Sequence, residues 1–209
     1  MIKGIASDLD GTLVDTAKFL AKAWEDAFKS EGINVSYNEL YNNTKGISSK
    51  DIIHKYKKES NADDLSRIKE KRKLNFLDLI KKDNSLLYPE TLDVIKKIRE
   101  KGIKFAISTG MSKDLLNNVL AFSGLSEVVD AVVSSDDVEN GKPAPDIFLE
   151  AFRRININPR EGLVVGDSEN DIIPGKRIGA FTVFISREGE KLDIADANIT
   201  NLTEILRLL

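Results

Sequence analysis

The 209-residue sequence has no cysteine, no glutamine and a single histidine. Without thiols there is no disulfide, no thiol nucleophile and no cysteine metal site. The lone His54 lacks a second imidazole for a metal cluster and a sequence neighbour that marks a nucleophile–base pair, so it reads as scaffold. Long apolar runs are also missing: no stretch approaches the roughly 20 residues a membrane-spanning helix needs. The amino terminus passes straight into a strand-like pattern without the basic start and apolar core of a signal peptide, so cytoplasmic residence is expected. An excess of charge of one sign is missing too. Charged residues make up 31% of the chain, yet the formal net charge is −3, which gives no field suited to nucleic acid or an anionic membrane. The one basic run, Lys69-Glu70-Lys71-Arg72-Lys73, has acidic flanks and no interleaved aromatics, and reads as the solvated face of a helix. The missing glutamine hints at heat tolerance, while the many asparagines argue the other way.

What is present suffices for a core. At 41% hydrophobic, the chain can form one domain plus a sizeable insertion. Residues 15–84 carry apolar side chains at helical spacing (Phe19, Ala23, Trp24, Ala27 and Phe28; Ile52, Ile53 and Tyr56; Leu65, Ile68, Leu74, Leu77 and Ile80) and read as all-helical. After Tyr88-Pro89, helices near 91–101, 113–123, 145–155, 170–178 and 202–208 alternate with strands near 103–107, 131–134, 163–166 and 181–185. That alternation predicts an α/β fold with a doubly wound, parallel, Rossmann-like sheet. The first strand ends near residue 9 and its partners resume only after 102. The expected division is therefore a catalytic core of residues 1–14 and 85–209, with a helical insertion at 15–84 hinged near 13–17 and 83–88.

Chemistry-bearing residues follow the strand-like runs in a fixed order. Residues 4–7 end in Asp8-Leu9-Asp10-Gly11-Thr12; 103–107 run into Ser108-Thr109-Gly110; 131–133 lead to Gly141-Lys142-Pro143-Ala144-Pro145-Asp146; and 163–165 end in Gly166-Asp167-Ser168-Glu169-Asn170-Asp171. Open α/β sheets hold their ligands at the carboxyl ends of strands. Side chains alternate in extended backbone, so Asp8 and Asp10 can face one pocket with Leu9 turned away, and Gly11 permits a sharp turn. Each motif alone has a plainer reading. Asp-x-Asp occurs in glycosyltransferase metal sites and ordinary acidic loops; Thr109 could be a turn residue, Lys142 a surface lysine, and Asp167 and Asp171 helix caps.

Taken together, the four motifs resemble those of the haloacid dehalogenase-like phosphohydrolase superfamily: Asp-x-Asp, a Ser/Thr, a Lys and a late acidic pair. The resemblance spans the chain and implies a phosphoric monoester hydrolase acting on a small-molecule substrate, as a monomer or weak homodimer. It assigns Asp8 as the nucleophile that forms an aspartyl-phosphate. Asp10 becomes the general acid and then the base, with its backbone carbonyl on the metal. Thr109 and the Gly110 amide would bind phosphate where a helix begins, and Lys142 would supply a fixed positive charge whose loss should cripple turnover and leave the fold nearly unchanged. Oxygen ligands suit Mg²⁺, held by Asp8, Asp10 and Asp167. Asp171 would orient metal waters or pair with Lys142. Many members carry asparagine where Gly110 stands, so only the amide is implied there.

Within the superfamily, dehalogenases need no second acid, and Asp10 speaks against them. The helical insertion resembles the cap of β-phosphoglucomutase over Asp15-Thr16, Trp24 and Lys45-Gly46-Ile47-Ser48, which makes a phosphomutase the rival expectation. This chain departs from that pattern at Leu20, Ser49 and Gly166, which replace a histidine, an arginine and a metal-site glutamate. Gly-Asp-Ser-x-x-Asp is the phosphoglycolate phosphatase-like form. A phosphatase of phosphoglycolate-like or sugar phosphates is therefore expected, with Lys45 and Gly46 in the specificity loop and phosphoglycolate as first substrate. A non-catalytic phospholigand binder is the remaining alternative.

Overall fold

The computed structural model describes residues 1–44, 47–83 and 85–209. Two compact units are formed, one by Met1–Val14 with Leu87–Leu209 and one by Asp15–Leu86. The first is built on β1 (Gly4–Ser7), β2 (Lys104–Ser108), β3 (Ala131–Val133), β4 (Gly162–Gly166), β5 (Phe181–Ile185) and β6 (Ala197–Ile199). They form one parallel sheet in the order β3-β2-β1-β4-β5-β6, with Gly4 opposite Lys104 on one side and Gly162 on the other. Every residue of β1 and β4 is buried, as expected for central parallel strands covered on both faces. The strand order reverses between β1 and β4, which opens the crevice that α/β enzymes use for ligands.

The same unit carries the helix Thr91–Glu100, then Lys113–Ser123, Asp146–Arg154 and Glu169–Arg177. On Asp146–Arg154, Ile147, Phe148, Ala151 and Phe152 recur at helical spacing and bury themselves against Ala6, Ala106, Val133 and Val164 of the sheet. Small residues let this helix lie close: a side-chain carbon at Gly162 would stand 2.3 Å from the Phe152 ring.

Two elements differ from expectation. The edge strand Ala197–Ile199 is absent from the sequence reading, and the expected helix 202–208 is a 3₁₀ segment over Leu202–Arg207. A 3₁₀ turn places i and i+3 on one line, so six residues with Leu202 and Ile205 inward satisfy either period.

The second unit consists of helices at Thr16–Lys29, Tyr37–Asn43, Ser49–Tyr56 and Ala62–Lys82. Its core joins Trp24, Ala27 and Phe28 to Leu40, Ile52, Ile53 and Ile68, with Trp24 and Phe28 stacked at 5.4 Å. Ser36, Ser48 and Asn61 cap the last three helices by accepting from backbone amides, and Asn61 with Asp64 completes a capping box. His54 faces the Ser60 hydroxyl at 2.7 Å. The basic run is only partly a solvated face: Lys69 and Glu70 are exposed, but Lys71 pairs with Glu31 at 2.7 Å and Arg72 lies over Trp24. Glu31 is distant in sequence, which hid this pairing. The unit's two ends run side by side, the Asp15 amide donating to the Leu86 carbonyl at 2.8 Å. Just inside the sheet unit, Val14 bridges Leu87 in antiparallel fashion.

Candidate active site

The Asp8 amide continues the sheet pairing by donating to Val165 at 2.8 Å, which fixes the nucleophile candidate at the end of β1. Leu9 is fully buried while Asp10 is half-buried, so the expected alternation holds. Gly11 takes φ +77°, and a side-chain carbon there would fall 2.2 Å from Asp167 Oδ2. Glycine is thus required twice, for its backbone conformation and for the approach of Asp167.

Thr109 sits at the end of β2, where its amide donates to Val133 and its hydroxyl accepts from Met111 N at 3.1 Å. The same hydroxyl lies 3.3 Å from Asp10 Oδ2. Gly110 is exposed, and an added side-chain carbon would meet nothing within 4 Å, so the departure from asparagine has no steric cause. The helix Lys113–Ser123 begins just beyond, with the amide-rich end that favours anions.

Lys142 is brought in by the segment between the edge strand β3 and the helix Asp146–Arg154. Its ammonium donates to Asp8 Oδ1 at 2.5 Å and to the Ser108 carbonyl at 2.9 Å, and pairs with Asp171 Oδ1 at 2.7 Å. The Ser108 contact was not foreseen, since a backbone carbonyl leaves no mark in the sequence. Three acceptors match the three donors of an ammonium, so in this arrangement Lys142 acts on Asp8 and Asp171. Only 11% of its side chain is exposed. Burial opposes the ammonium, yet Asp8 and Asp171 hold its pKa above the ordinary lysine value. Its removal would leave two buried carboxylates uncompensated, so the expectation of a nearly unchanged fold needs correcting.

Asp171 has three relations at once. Besides Lys142, its Oδ2 accepts from the Ser168 hydroxyl at 2.6 Å and closes a capping box, so the helix cap is Ser168 with Asp171 and not Asp167. It also groups with Asp8 and Asp167, the three offering carboxylate oxygens within 4.8 Å of one another. A side-chain carbon at Gly166 would fall 2.3 Å from Asp171 Cβ, so the glycine makes room for this acid.

Burial pushes the Asp8 carboxyl well above its usual range; Lys142 opposes that shift, while the charges of Asp171, Asp10 and Asp167 reinforce it. Four acids gather here around one ammonium among the described residues. The donor set fits a hard divalent cation. It is all oxygen, and oxygens on one Mg²⁺ stand at most about 4.2 Å apart, close to the spacing available. Lys45 and Gly46 lie outside the described residues.

The model of the family described as haloacid dehalogenase-like hydrolase matches residues 5–185. A phosphoglycolate phosphatase of Aquifex aeolicus is 28% identical over 207 residues, 98% of this chain and 95% of that protein. The pyrophosphatase PpaX of Oceanobacillus iheyensis is 26% identical, covering 88% and 84%. Among solved structures, a predicted phosphoglycolate phosphatase from Haemophilus somnus superposes with a TM-score of 0.86 at 21% identity, covering 99% and 97%. A match over most of the chain, with the four strand-end clusters converging on one crevice, identifies the chain as an enzyme of the haloacid dehalogenase-like hydrolase family, similar to its phosphoglycolate phosphatases.

Proposed function

We propose that the protein is a Mg²⁺-dependent phosphatase of small phosphorylated metabolites, with phosphoglycolate first among them, working through an aspartyl-phosphate on Asp8. The observation that carries this reading is the unequal setting of two neighbouring acids. Asp8 is buried and fixed by Lys142, as an in-line nucleophile requires. Asp10 is half-buried beside Thr109, where it can exchange protons with a leaving alcohol and then with water. Thr109 and the amides near Gly110 would hold the phosphoryl oxygens. Asp8, Asp167 and the Asp10 carbonyl would hold the cation, with Asp171 orienting its surroundings; when bound, the ion neutralises charge between carboxylate and phosphate. Residues 15–84 are read as the lid, its specificity loop including Lys45 and Gly46.

The mutase alternative is disfavoured where Gly166 stands in place of an acid, since a side chain there would crowd Asp171. The relatives' differing substrates leave the choice of metabolite to experiment. Phosphate release should be measured with Mg²⁺ on a panel containing phosphoglycolate, sugar phosphates, pyrophosphate and an aryl phosphate. The expected result is turnover of several esters, lost on the order of a thousandfold in Asp8→Asn. Full activity in that variant would overturn the mechanism, and transfer of phosphate between sugar positions without release would favour the mutase.

A further inference from the structure

Arg187 lies just past β5, at the same carboxyl edge of the sheet as Asp8, yet belongs to none of the four motifs. Its guanidinium makes three contacts of different kinds. One Nη donates to a Glu90 carboxylate oxygen, the other donates to the Thr12 carbonyl at 3.1 Å, and the group stacks 3.8 Å from the centre of the Tyr88 ring. Both charged partners are largely covered, with 19% of the Arg187 and 13% of the Glu90 side chain exposed. The same Glu90 oxygen accepts from Leu202 N.

The place where this fork lands gives it meaning. Thr12 sits in the turn that begins at Asp10: the Gly11 amide donates to the Val14 carbonyl at 2.8 Å, and Asp10 bridges Val14. Leu13 is held in turn, its carbonyl accepting from Tyr88 N and from the Thr91 hydroxyl. Within the turn, Thr12 Oγ1 is buried without a hydrogen-bond partner, as is Arg187 Nε. The turn is therefore held through its backbone carbonyls. A planar fork suits this work, because it can meet a carboxylate and a carbonyl at fixed angles while its face rests on an aromatic ring.

We propose that Arg187 is a positioning residue that fixes the Asp10–Thr12 turn against Tyr88 and Glu90 and thereby sets the acid Asp10. The part of the inference concerning proton transfer rests on the phosphatase reading above; the part concerning the turn does not. Loss of the fork releases Thr12, and the displacement reaches Asp10 two residues earlier, whereas Asp8 is held independently by Val165 and Lys142.

The test compares wild type with Arg187→Ala, Arg187→Lys and Glu90→Gln, well below their unfolding temperatures. Steady-state rates are measured with an alkyl phosphate, whose leaving group needs a proton, and with an activated aryl phosphate, whose leaving group does not. In Arg187→Ala, kcat on the alkyl ester should fall about tenfold more than on the aryl ester, with KM little changed. Arg187→Lys, which keeps the charge but not the fork, should recover only part of the loss. In parallel, backbone hydrogen exchange of 10–14 should quicken in Arg187→Ala while that of 162–166 stays slow. Equal losses on both esters would reduce Arg187 to a structural role, and unchanged exchange across 10–14 would overturn the proposal. Inactive wild type with quickened exchange would sink the phosphatase reading and leave the clamp standing; Glu90→Gln supplies the same measurements if Arg187→Ala does not fold.

Discussion

Lys142 shows how one side chain can serve chemistry and fold together. Its three donors meet Asp8, Asp171 and the Ser108 carbonyl, so the charge that fixes the proposed nucleophile also compensates two buried acids. Lys142→Ala should lower kcat by two to three orders of magnitude, on the scale of losing one preorganised donor. It should also cost about 3 kcal/mol of stability, because an uncompensated buried charge is left behind. Urea unfolding alongside steady-state rates checks both; a silent change in stability would mean the acids find another partner. The residue types of this site were legible in the sequence because each of Asp8, Asp10, Thr109, Lys142 and Asp167 follows a strand-like run. The pairing of Asp171 with Lys142 was an expectation of the resemblance, and a helix cap was the plainer reading of the same acid. That Asp171 holds both contacts at once, and that Gly11 makes room for Asp167, was not legible, because it depends on how the separate motifs approach one another.

Among elements, the central strands were legible because burial on both faces leaves them as short, nearly uncharged runs without helical spacing, such as Gly4–Ser7 and Gly162–Gly166. The edge strand Ala197–Ile199 has three residues and leaves no such run; it is anchored by Asp196, whose carboxylate accepts from the Thr182 amide and hydroxyl on β5. In the helical unit, the amphipathic faces were legible but the charge pairing was not. Glu31 joins Arg67 and Lys71 of Ala62–Lys82, and these two hydrogen-bonding cations lower its pKa from 4.5 to about 2. A depressed acid stabilises the fold above its unfolded pKa, and that contribution is lost as pH falls from about 4.5 towards 2. Because Arg67 and Lys71 are partly exposed, solvent screening reduces the worth of the network to about 1 kcal/mol. Denaturant unfolding of the full chain from pH 7 to pH 2 should show Glu31→Gln less stable by that amount at neutral pH and converging with wild type in acid. Parallel curves across the range would remove the network from the ledger.

For the molecule as a whole, the proposed cation at the crevice of acids would make stability and metal supply interdependent. At 100 times its dissociation constant, a cation bound only by the folded state adds about 2.7 kcal/mol. Adding Mg²⁺ should therefore raise the thermal midpoint and start turnover together, and exhaustive chelation should reverse both. Turnover that survives chelation would exclude the proposed cofactor. The meeting of Asp15 with Leu86 carries a different consequence, for the order in which the chain assembles. Gly4 must find Lys104 and Gly162, partners remote along the chain, before the sheet exists. Loop-closure entropy rises only slowly with length, by about 0.6 kcal/mol per doubling, but it is unfavourable until the strands pair. Helices of local contacts form quickly, and once residues 15–86 have folded their ends are already adjacent. The search of β1 for β2 then runs over a short effective tether, so the insertion shortens the folding problem of the sheet that it interrupts.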